Sequence, residues 1–207
     1  MAIRINGIDK ESTVHQESSM NHGMYHMTAN NHIYQPQLST QFEFIVTNLD
    51  GLTHLSTGEE IANAQELLRL AVVRANIPHF EQDVITERRA NSVQKFAGTP
   101  TFSAGEITVR DWIGADTKSI LMSWQNQSYD VKTDKIGLVS DYQRDCWLIE
   151  YTPDWQEVRK WILQGCWISN ITEDPYDHGN NTDQRQITAT IQYNRAILDI
   201  PDRKSVV

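Results

Sequence analysis

The residues best suited to chemistry lie in a polar segment near the C-terminal end, between two strand-like stretches. Glu173, Asp174, Asp177 and His178 follow one another closely there. Carboxylates beside an imidazole can perform acid–base catalysis or hold a divalent cation. These side chains lie in a turn rather than on strands that would fix their geometry. We therefore favour a solvated loop over a catalytic or metal site.

A second group of potential ligands lies in the N-terminal 36 residues. His22 and His26 have the i, i+4 spacing that binds a metal on a helix, and His15 and His32 flank them. The segment is polar and lacks helical periodicity, and no thiol or carboxylate near His22 and His26 completes a site. We interpret residues 1–36 as a polar N-terminal arm that becomes ordered against a partner, and we predict no metal.

Residue types that serve nucleophilic, redox or phosphate chemistry lack the spacing that those reactions need. The sequence contains no phosphate-binding loop, no Gly-x-Gly-x-x-Gly, no Cys-x-x-Cys and no nucleophile elbow. Ser103 and Ser169 have no evident base. Cys146 and Cys166 lie in apolar stretches typical of buried thiols in a reducing compartment, where a disulfide is possible but not favoured. We predict neither an enzyme nor a bound cofactor.

The clearest structural signal is a pair of long strands in residues 158–197, joined by the polar segment. Alternation in the first strand predicts a core-facing side made of Arg159, Trp161, Leu163, Gly165 and Trp167. The second strand is rich in β-branched residues, and its core-facing side holds Ile187, Ala189, Ile191 and Tyr193. We predict that these two strands pair in antiparallel orientation.

Strand-like and helix-like segments follow one another upstream of this pair. Strands are expected at residues 42–49, 70–77, 105–113 and 141–151, and a turn at 152–154 connects the last of them to Val158. Ser56 and Glu59 resemble a capping box for a short helix, which contains Ile61, Ala64, Leu67 and Leu68. Asp116 is expected to cap a second helix, with an apolar face of Ile120, Leu121 and Trp124.

Residues 84–102 combine weak alternation with positive charge. We interpret them as a long exposed β-hairpin or an extended loop. Arg88, Arg89 and Lys95 stand out there because the protein as a whole is acidic. These cations either contact acidic loops of a neighbouring copy or are solvated, and composition alone does not distinguish the two.

Together the segments predict a mainly β protein, either an antiparallel β-sandwich or a partly closed barrel with one or two flanking helices. A chain of 207 residues suits one such domain at 37–200, after the arm at 1–36 and before a C-terminal tail at 201–207. No apolar run approaches the roughly 20 residues of a membrane helix, and no secretory signal is evident. We expect a soluble protein that is made in the cytoplasm.

The net charge of −9 is distributed unevenly. Residues 130–183 hold eleven Asp and Glu against five Lys and Arg. This balance argues against a protein that grips nucleic acid, because such binding requires Lys and Arg to neutralise phosphates. An acidic surface either aids solubility or lets DNA pass without adhering.

The order of these segments resembles the tail tube protein of contractile-tailed bacteriophages. The resemblance spans about residues 39–198 and is carried by the strand end Asn76-Ile77-Pro78, the segment with Lys95 and Gly98, Gly105-Glu-Ile-Thr-Val109, the helix with Trp124, Tyr151-Thr-Pro-Asp-Trp155, Leu163-Gln-Gly-Cys-Trp167, and Ile187-Thr-Ala-Thr-Ile-Gln-Tyr193. It implies a β-sandwich subunit with a flanking helix. Six copies would form a ring with a continuous inner β-barrel, and rings would stack into a hollow tube.

The same resemblance implies the partners and the location of the protein. The tube would contact sheath and baseplate proteins, and viral DNA would pass through its lumen without specific binding. An acidic lumen would keep the DNA from adhering. Residues 84–102 would reach the adjoining ring, where Arg88, Arg89 and Lys95 would meet acidic residues. The protein would belong to the tail of the virion and be assembled in the host cytoplasm.

Two alternatives to the main tube subunit follow from the sequence. The N-terminal arm and the helical insert near residues 59–70 depart from the plainest members of the family, so a tube-initiating or tube-terminating baseplate protein is one alternative, and the tube of a tailocin or secretion apparatus belongs with it. From another class, a monomeric β-sandwich module could hold a glycan through Trp112 and Trp155. We interpret both tryptophans instead as core or subunit-interface residues.

Overall fold

The computed structural model describes residues 4–5, 8–9, 37–54, 57–113, 116–176 and 184–199. The chain divides into two compact units, residues 1–39 and residues 40–207. In the first unit, strands β1 (Arg4–Ile5) and β2 (Ile8–Asp9) form an antiparallel pair. The four histidines of the predicted arm lie outside the described residues. No helix in the described ranges is long and apolar enough to span a membrane.

The second unit is mainly β, which confirms the predicted fold class. Its strands are β3 (Phe42–Val46), β4 (Val72–Ala75), β5 (Phe80–Arg89), β6 (Ser92–Phe102), β7 (Gly105–Arg110), β8 (Tyr129–Asp130), β9 (Lys135–Ile136), β10 (Arg144–Tyr151), β11 (Glu157–Glu173), β12 (Gln186–Gln192) and β13 (Arg195–Asp199). Its helices are α1 (Ala64–Ala71), α2 (Thr117–Ser128) and α3 (Val139–Tyr142).

Seven strands form one antiparallel sheet in the order β3-β10-β11-β12-β7-β4, with β13 also paired to β11. Strand β11 belongs to both halves of this sheet. Its residues 157–166 pair with β10, and its residues 167–173 pair with β12. We call β3, β10, β13 and the first part of β11 the β10 half. The second part of β11, together with β12, β7 and β4, is the β12 half. In the described chain the sheet does not close into a barrel.

Gly165 marks the change from one half to the other. It has a φ of 69°, in the left-handed region that favours glycine, and the register between β10 and β11 shifts by one residue at this point. As a result the core side of β11 is formed by Leu163 before the bulge and by Cys166 and Ile168 after it. The alternation expected from the sequence is therefore wrong beyond Gly165, and Trp167 is half-buried on the other side.

The core lies between the sheet and the helices, and α2 supplies its largest side chain. Ile120, Leu121 and Trp124 of α2 are buried, as expected for the apolar face of this helix. The Asp116 carboxylate accepts a hydrogen bond of 3.1 Å from the backbone N–H of Ser119, which confirms the predicted N-cap. The Trp124 indole donates to the Tyr142 carbonyl at 2.8 Å, so its polar atom is satisfied inside the core.

The start of α1 differs from the sequence prediction. The helix begins at Ala64, and Asn63 precedes it in a left-handed conformation without a side-chain cap. Glu59 lies outside the helix, and Ser56 is not among the described residues. The Ile61 N–H donates to the Leu52 carbonyl at 2.8 Å. Glu59 therefore belongs to a connection before the helix, where its carbonyl accepts from the His54 N–H at 2.8 Å.

Two strands end earlier than the sequence predicted, β3 at Val46 and β7 at Arg110, and two others begin later. The strand expected at 70–77 is reduced to β4 because α1 continues through Ala71. The strand expected from residue 141 begins at Arg144, because residues 139–142 form the short helix α3. These changes shorten the strands and leave the predicted antiparallel order unchanged.

Candidate assembly surfaces

Strands β5 and β6 form a long hairpin that contacts the core only at its base, through Phe102, which confirms the hairpin interpretation. Among the described residues these two strands pair only with each other, and every residue from Phe80 to Ala97 is exposed. At the base of the hairpin, the Phe102 ring packs 5.9 Å from the Phe80 ring and 5.9 Å from the Tyr193 ring. Farther out, four large apolar side chains are exposed, namely Val84, Ile85, Val93 and Phe96. A single chain leaves this apolar surface in water.

The two faces of the hairpin differ in chemistry. The register places Ile85 opposite Phe96 on one face, and it places Arg88 opposite Val93 on the other. Lys95 shares the face of Arg88, because it lies two residues from Val93 along β6, whereas Arg89 shares the face of Ile85. No ion pair links Arg88, Arg89 or Lys95 to another described residue. The structure thus brings together Arg88 and Lys95 but separates Arg89 from them.

The outward face of the β12 half is hydrated and carries few charges. Its cross-strand rows are Arg74, Thr108, Thr188 and Thr172, followed by Glu106, Thr190 and Asn170. Gln186 and Gln192 lie on the same face, as do Arg110 and the half-buried Trp167, which is opposite Gln192. The hydroxyls of Thr108 and Thr188 are 3.4 Å apart. The sequence contained the signal for this face, because these polar residues alternate with the buried Ile and Ala residues.

Both lateral edges of the β12 half lack a strand neighbour among the described residues. At one edge, β4 pairs only with β7. At the other edge, residues 167–173 of β11 pair with β12 alone, because the pairing with β10 ends at Cys166. Unpaired edges offer backbone N–H and C=O groups to a strand of another chain. In the described part of the chain, the β12 half therefore has two edges without a strand partner and one largely polar face.

At the end of β11, Glu173 of the acidic cluster forms ion pairs with neighbouring cations. Glu173 accepts hydrogen bonds from Lys118, at 2.7 Å, and from Arg185. Arg185 also pairs with Asp111 at 3.0 Å, and its guanidinium lies over the Tyr176 ring. The hydrogen bond from Lys118, with the nearby Arg185, lowers the pKa of Glu173. Glu173 thus stabilises the end of the β12 half as a carboxylate.

The other members of the proposed acid–base cluster give no support to a site. Asp174 accepts from the Gln186 N–H at 3.0 Å, which fixes the backbone around the loop. Asp177 and His178 lie outside the described residues. Within the described ranges, no group of three or more His, Cys, Asp or Glu residues is arranged to hold a metal ion.

The two tryptophans of the glycan-module alternative have different surroundings. Trp112 is half-buried and packs against the core. Trp155 is 66% exposed on the turn between β10 and β11, with its ring 5.7 Å from that of Tyr151. Its φ of 63° is in the left-handed region, which is unusual for a large side chain. Only Trp155 is thus presented openly to a partner.

The two cysteines are free thiols buried in the core. Burial raises the pKa of the Cys146 thiol well above its ordinary value, and the neighbouring Cys166 raises it further. Both residues behave as small apolar side chains, as the sequence indicated.

Comparison with known proteins gives matches in fold but not in sequence. No protein-family model matches the chain, and no curated protein matches it significantly. A chain of the PVC sheath–tube complex of an extracellular contractile injection system, in the extended state, has a TM-score of 0.57 at 13% identity, covering 84% of this chain and 97% of that chain. A chain of the PVC sheath/tube terminator in the extended state has a TM-score of 0.57 at 15% identity, covering 81% and 99%.

A third match comes from a baseplate. A chain of the six-fold symmetrised baseplate of the anti-feeding prophage has a TM-score of 0.55 at 11% identity, covering 80% of this chain and 96% of that chain. Identities this low show a common fold and no more. The chain therefore has the tail tube fold, as the order of its segments indicated.

Proposed function

We propose that this protein is a non-enzymatic structural subunit of the hollow tube of a contractile tail. Copies close into homo-hexameric rings, and the rings stack. The observation that carries the proposal is the β12 half, where one hydrated face lies between two edges without strand partners. The tail tube fold supports the same function.

Ring closure joins the two unpaired edges. Strand β4 of one copy lies beside residues 167–173 of the next copy's β11, so that backbone groups at both edges find partners. The contact is head-to-tail around the ring, which lets a single kind of interface close a symmetric assembly. The inner barrel then consists of the β12 halves, with their hydrated faces toward the lumen.

The lumen face has the chemistry of a surface that does not hold nucleic acid specifically. Threonine, asparagine and glutamine side chains predominate. The negative charge of Glu106 offsets one of the two positive charges, those of Arg74 and Arg110. This face does not supply the acidic lumen that the resemblance implied, so the charge of −9 lies mainly on other surfaces. Viral DNA passes along a hydrated, weakly charged wall. The assembled tube belongs to the virion tail and forms in the host cytoplasm.

Stacking uses the hairpin. Its strand of 11 residues extends about 35 Å. Arg88 and Lys95 on one face, and Arg89 near the turn, meet acidic residues of the adjoining ring. Sheath and baseplate proteins are the remaining partners, contacting the outer surface and the end of the tube.

A tube-terminating or baseplate tube protein is the second candidate. Chains of the terminator and baseplate assemblies have TM-scores of 0.57 and 0.55, against 0.57 for the sheath–tube complex. The fold therefore suits a tube end as well as the tube body. The two functions differ in whether rings stack without other proteins.

Light scattering and negative-stain microscopy of the purified protein test the proposal. We expect a mass of six chains and hollow rings or tubes. Tubes of many rings support the tube body, whereas single rings that never stack support a tube end. A monomer at every concentration would contradict the proposal, and binding of Trp155 to glycans would then be the next assay.

A further inference from the structure

Residues 129–139 form an exposed segment that the proposed ring does not explain. We call this segment the apolar ribbon. It contains the short strand pair β8–β9 and the residues that follow. Its apolar side chains range from 44% exposed at Tyr129 to 83% exposed at Ile136, with Val131, Leu138 and Val139 between them. Five exposed apolar residues within eleven positions, with Tyr129 directly opposite Ile136, indicate a contact surface.

Several polar groups of the ribbon form hydrogen bonds with one another or with Ser128, which directly precedes the ribbon. Asp130 accepts hydrogen bonds from the Lys132 N–H at 3.0 Å and from the Thr133 hydroxyl at 2.6 Å. The Tyr129 hydroxyl donates to Asp134, and the Gly137 N–H donates to the Ser128 carbonyl at 3.0 Å. These bonds fix the backbone and leave the apolar side chains to face outward. A surface with a fixed conformation loses little entropy on binding.

The ribbon and the hairpin lie on opposite lateral sides of the β12 half. The hairpin continues from β4 and β7, at one edge. The ribbon follows α2, whose last turn contacts the other side of the sheet through a 2.9 Å hydrogen bond from Arg144 to Gln127. Arg144 in turn pairs with Cys166 of β11.

The hairpin and the ribbon also lie at the same end of the β12 half. The hairpin leaves the sheet beside Gly105, which is opposite Ile191, and Ile191 is opposite Ile168. The ribbon leaves near Cys166, two residues from Ile168. Copies placed side by side therefore bring the hairpin of one copy to the level of its neighbour's ribbon.

We propose that the Ile85–Phe96 face of the hairpin packs on the apolar ribbon of the neighbouring copy within the same ring. The inference rests on the proposed ring, in which the β4 edge of one copy adjoins β11 of the next. Ile85 and Phe96 are the apolar side chains on the face that lacks Arg88 and Lys95. The contact thus covers Ile85 and Phe96 and leaves the other face, which carries Arg88 and Lys95 together with Val84 and Val93, for the adjoining ring.

Cross-linking between copies tests the contact. The variant with Phe96→Cys and Ile136→Cys is assembled and treated with a short bismaleimide, to which the buried Cys146 and Cys166 are inaccessible. We expect a ladder of covalent multimers, absent from each single variant. The matched control pairs Phe96→Cys with Ile197→Cys, an exposed apolar position on β13 of the β10 half, and gives no ladder.

A second pair of cysteine variants and a substitution in the ribbon distinguish failure of this contact from failure of the ring. The variant with Ile85→Cys and Leu138→Cys is expected to cross-link as well. Ile136→Asp should raise the protein concentration needed for ring formation about tenfold or more, whereas Ile136→Val should leave that concentration nearly unchanged. Rings that form without a ladder from either pair would overturn this contact and leave the ring intact. A wild-type protein that forms no rings would overturn the ring and the contact together.

Discussion

The β5–β6 hairpin and the β11–β12 pair are both long antiparallel strand pairs, yet their surroundings are opposite. In β12 every second side chain is buried, including Ile187, Ala189 and Ile191. In the hairpin no side chain from Phe80 to Ala97 is buried. A two-stranded hairpin alone is only marginally stable in water. The comparison indicates that one chain determines the conformation of β12, whereas the hairpin depends on the cover that other copies supply.

The largest difference is expected from truncation of one isoleucine in each region. Ile187→Ala removes a fully buried side chain and should lower the free energy of unfolding by about 2–5 kcal/mol. Ile85→Ala removes an exposed side chain and should change the free energy of unfolding of the monomer by less than about 0.5 kcal/mol. Urea unfolding of both variants measures the contrast. Equal losses would mean that the hairpin packs on the domain.

A smaller loss is expected at the bulge that separates the two halves of the sheet. Gly165→Ala places a Cβ at positive φ and against the Asn194 side chain. Gly51→Ala is the matched control, because Gly51 has a φ of 76° and nothing within 4 Å of its Cβ position. We expect Gly51→Ala to lower the free energy of unfolding by about 1–2 kcal/mol and Gly165→Ala to lower it by more. Thermal unfolding measures both losses. A smaller effect at Gly165 would show that the Asn194 contact is unimportant.

Acid should weaken the end of the β11–β12 pair. Lys118 and Arg185 lower the pKa of Glu173 in the folded state below its ordinary value of 4.5. Its contribution to stability is therefore complete above that value and is lost as the pH falls through the folded-state pKa. Urea unfolding from about pH 7 to about pH 3 measures the loss, and Glu173→Gln should flatten the profile. An unchanged profile for Glu173→Gln would place the acid sensitivity elsewhere.

Charge reversal on the hairpin should have the smallest effect on folding. Arg88→Glu with Arg89→Glu should leave the unfolding free energy within about 0.5 kcal/mol, because both side chains are exposed and without ion partners among the described residues. Ring stacking, seen by microscopy, should be reduced. Arg88→Glu with Lys95→Glu should reduce it more, because those two residues share a face. Stacking that persists in both variants would count against the inter-ring role.

The sequence predicted elements whose determinants are local. Helix α2 follows from Asp116 as a cap and from the spacing of Ile120, Leu121 and Trp124, and β12 follows from strict alternation. The side of the sheet that Trp167 occupies could not be predicted, because it depends on a bulge at Gly165 next to the distant Asn194. The predicted capping box was wrong because Glu60 forms a β-bridge with Thr53, and the Ile61 N–H donates to the Leu52 carbonyl, so the helix begins later, at Ala64.

The sequence predicted the exposed hairpin but neither the apolar ribbon nor the unpaired edges, again because sequence patterns reflect local determinants. The exposed hairpin was visible as a charged segment without a strong core pattern. The apolar ribbon was missed, because Lys132, Asp134 and Lys135 lie between Val131 and Ile136 and interrupt any apolar pattern. The unpaired edges of the β12 half depend on strand order, which involves contacts between residues far apart in the chain. Sequence patterns describe single elements, whereas an edge is a property of the whole sheet.

Amide hydrogen exchange on the monomer and on the assembled protein tests most directly whether the hairpin depends on other copies. We expect β12 amides to be protected in both states. Amides of β5 and β6 should exchange rapidly in the monomer and become protected on assembly, as should those of β4 and of residues 167–173 that face the unpaired edges. A hairpin as well protected as β12 in the monomer, or one that stays unprotected in assembled rings, would contradict this account.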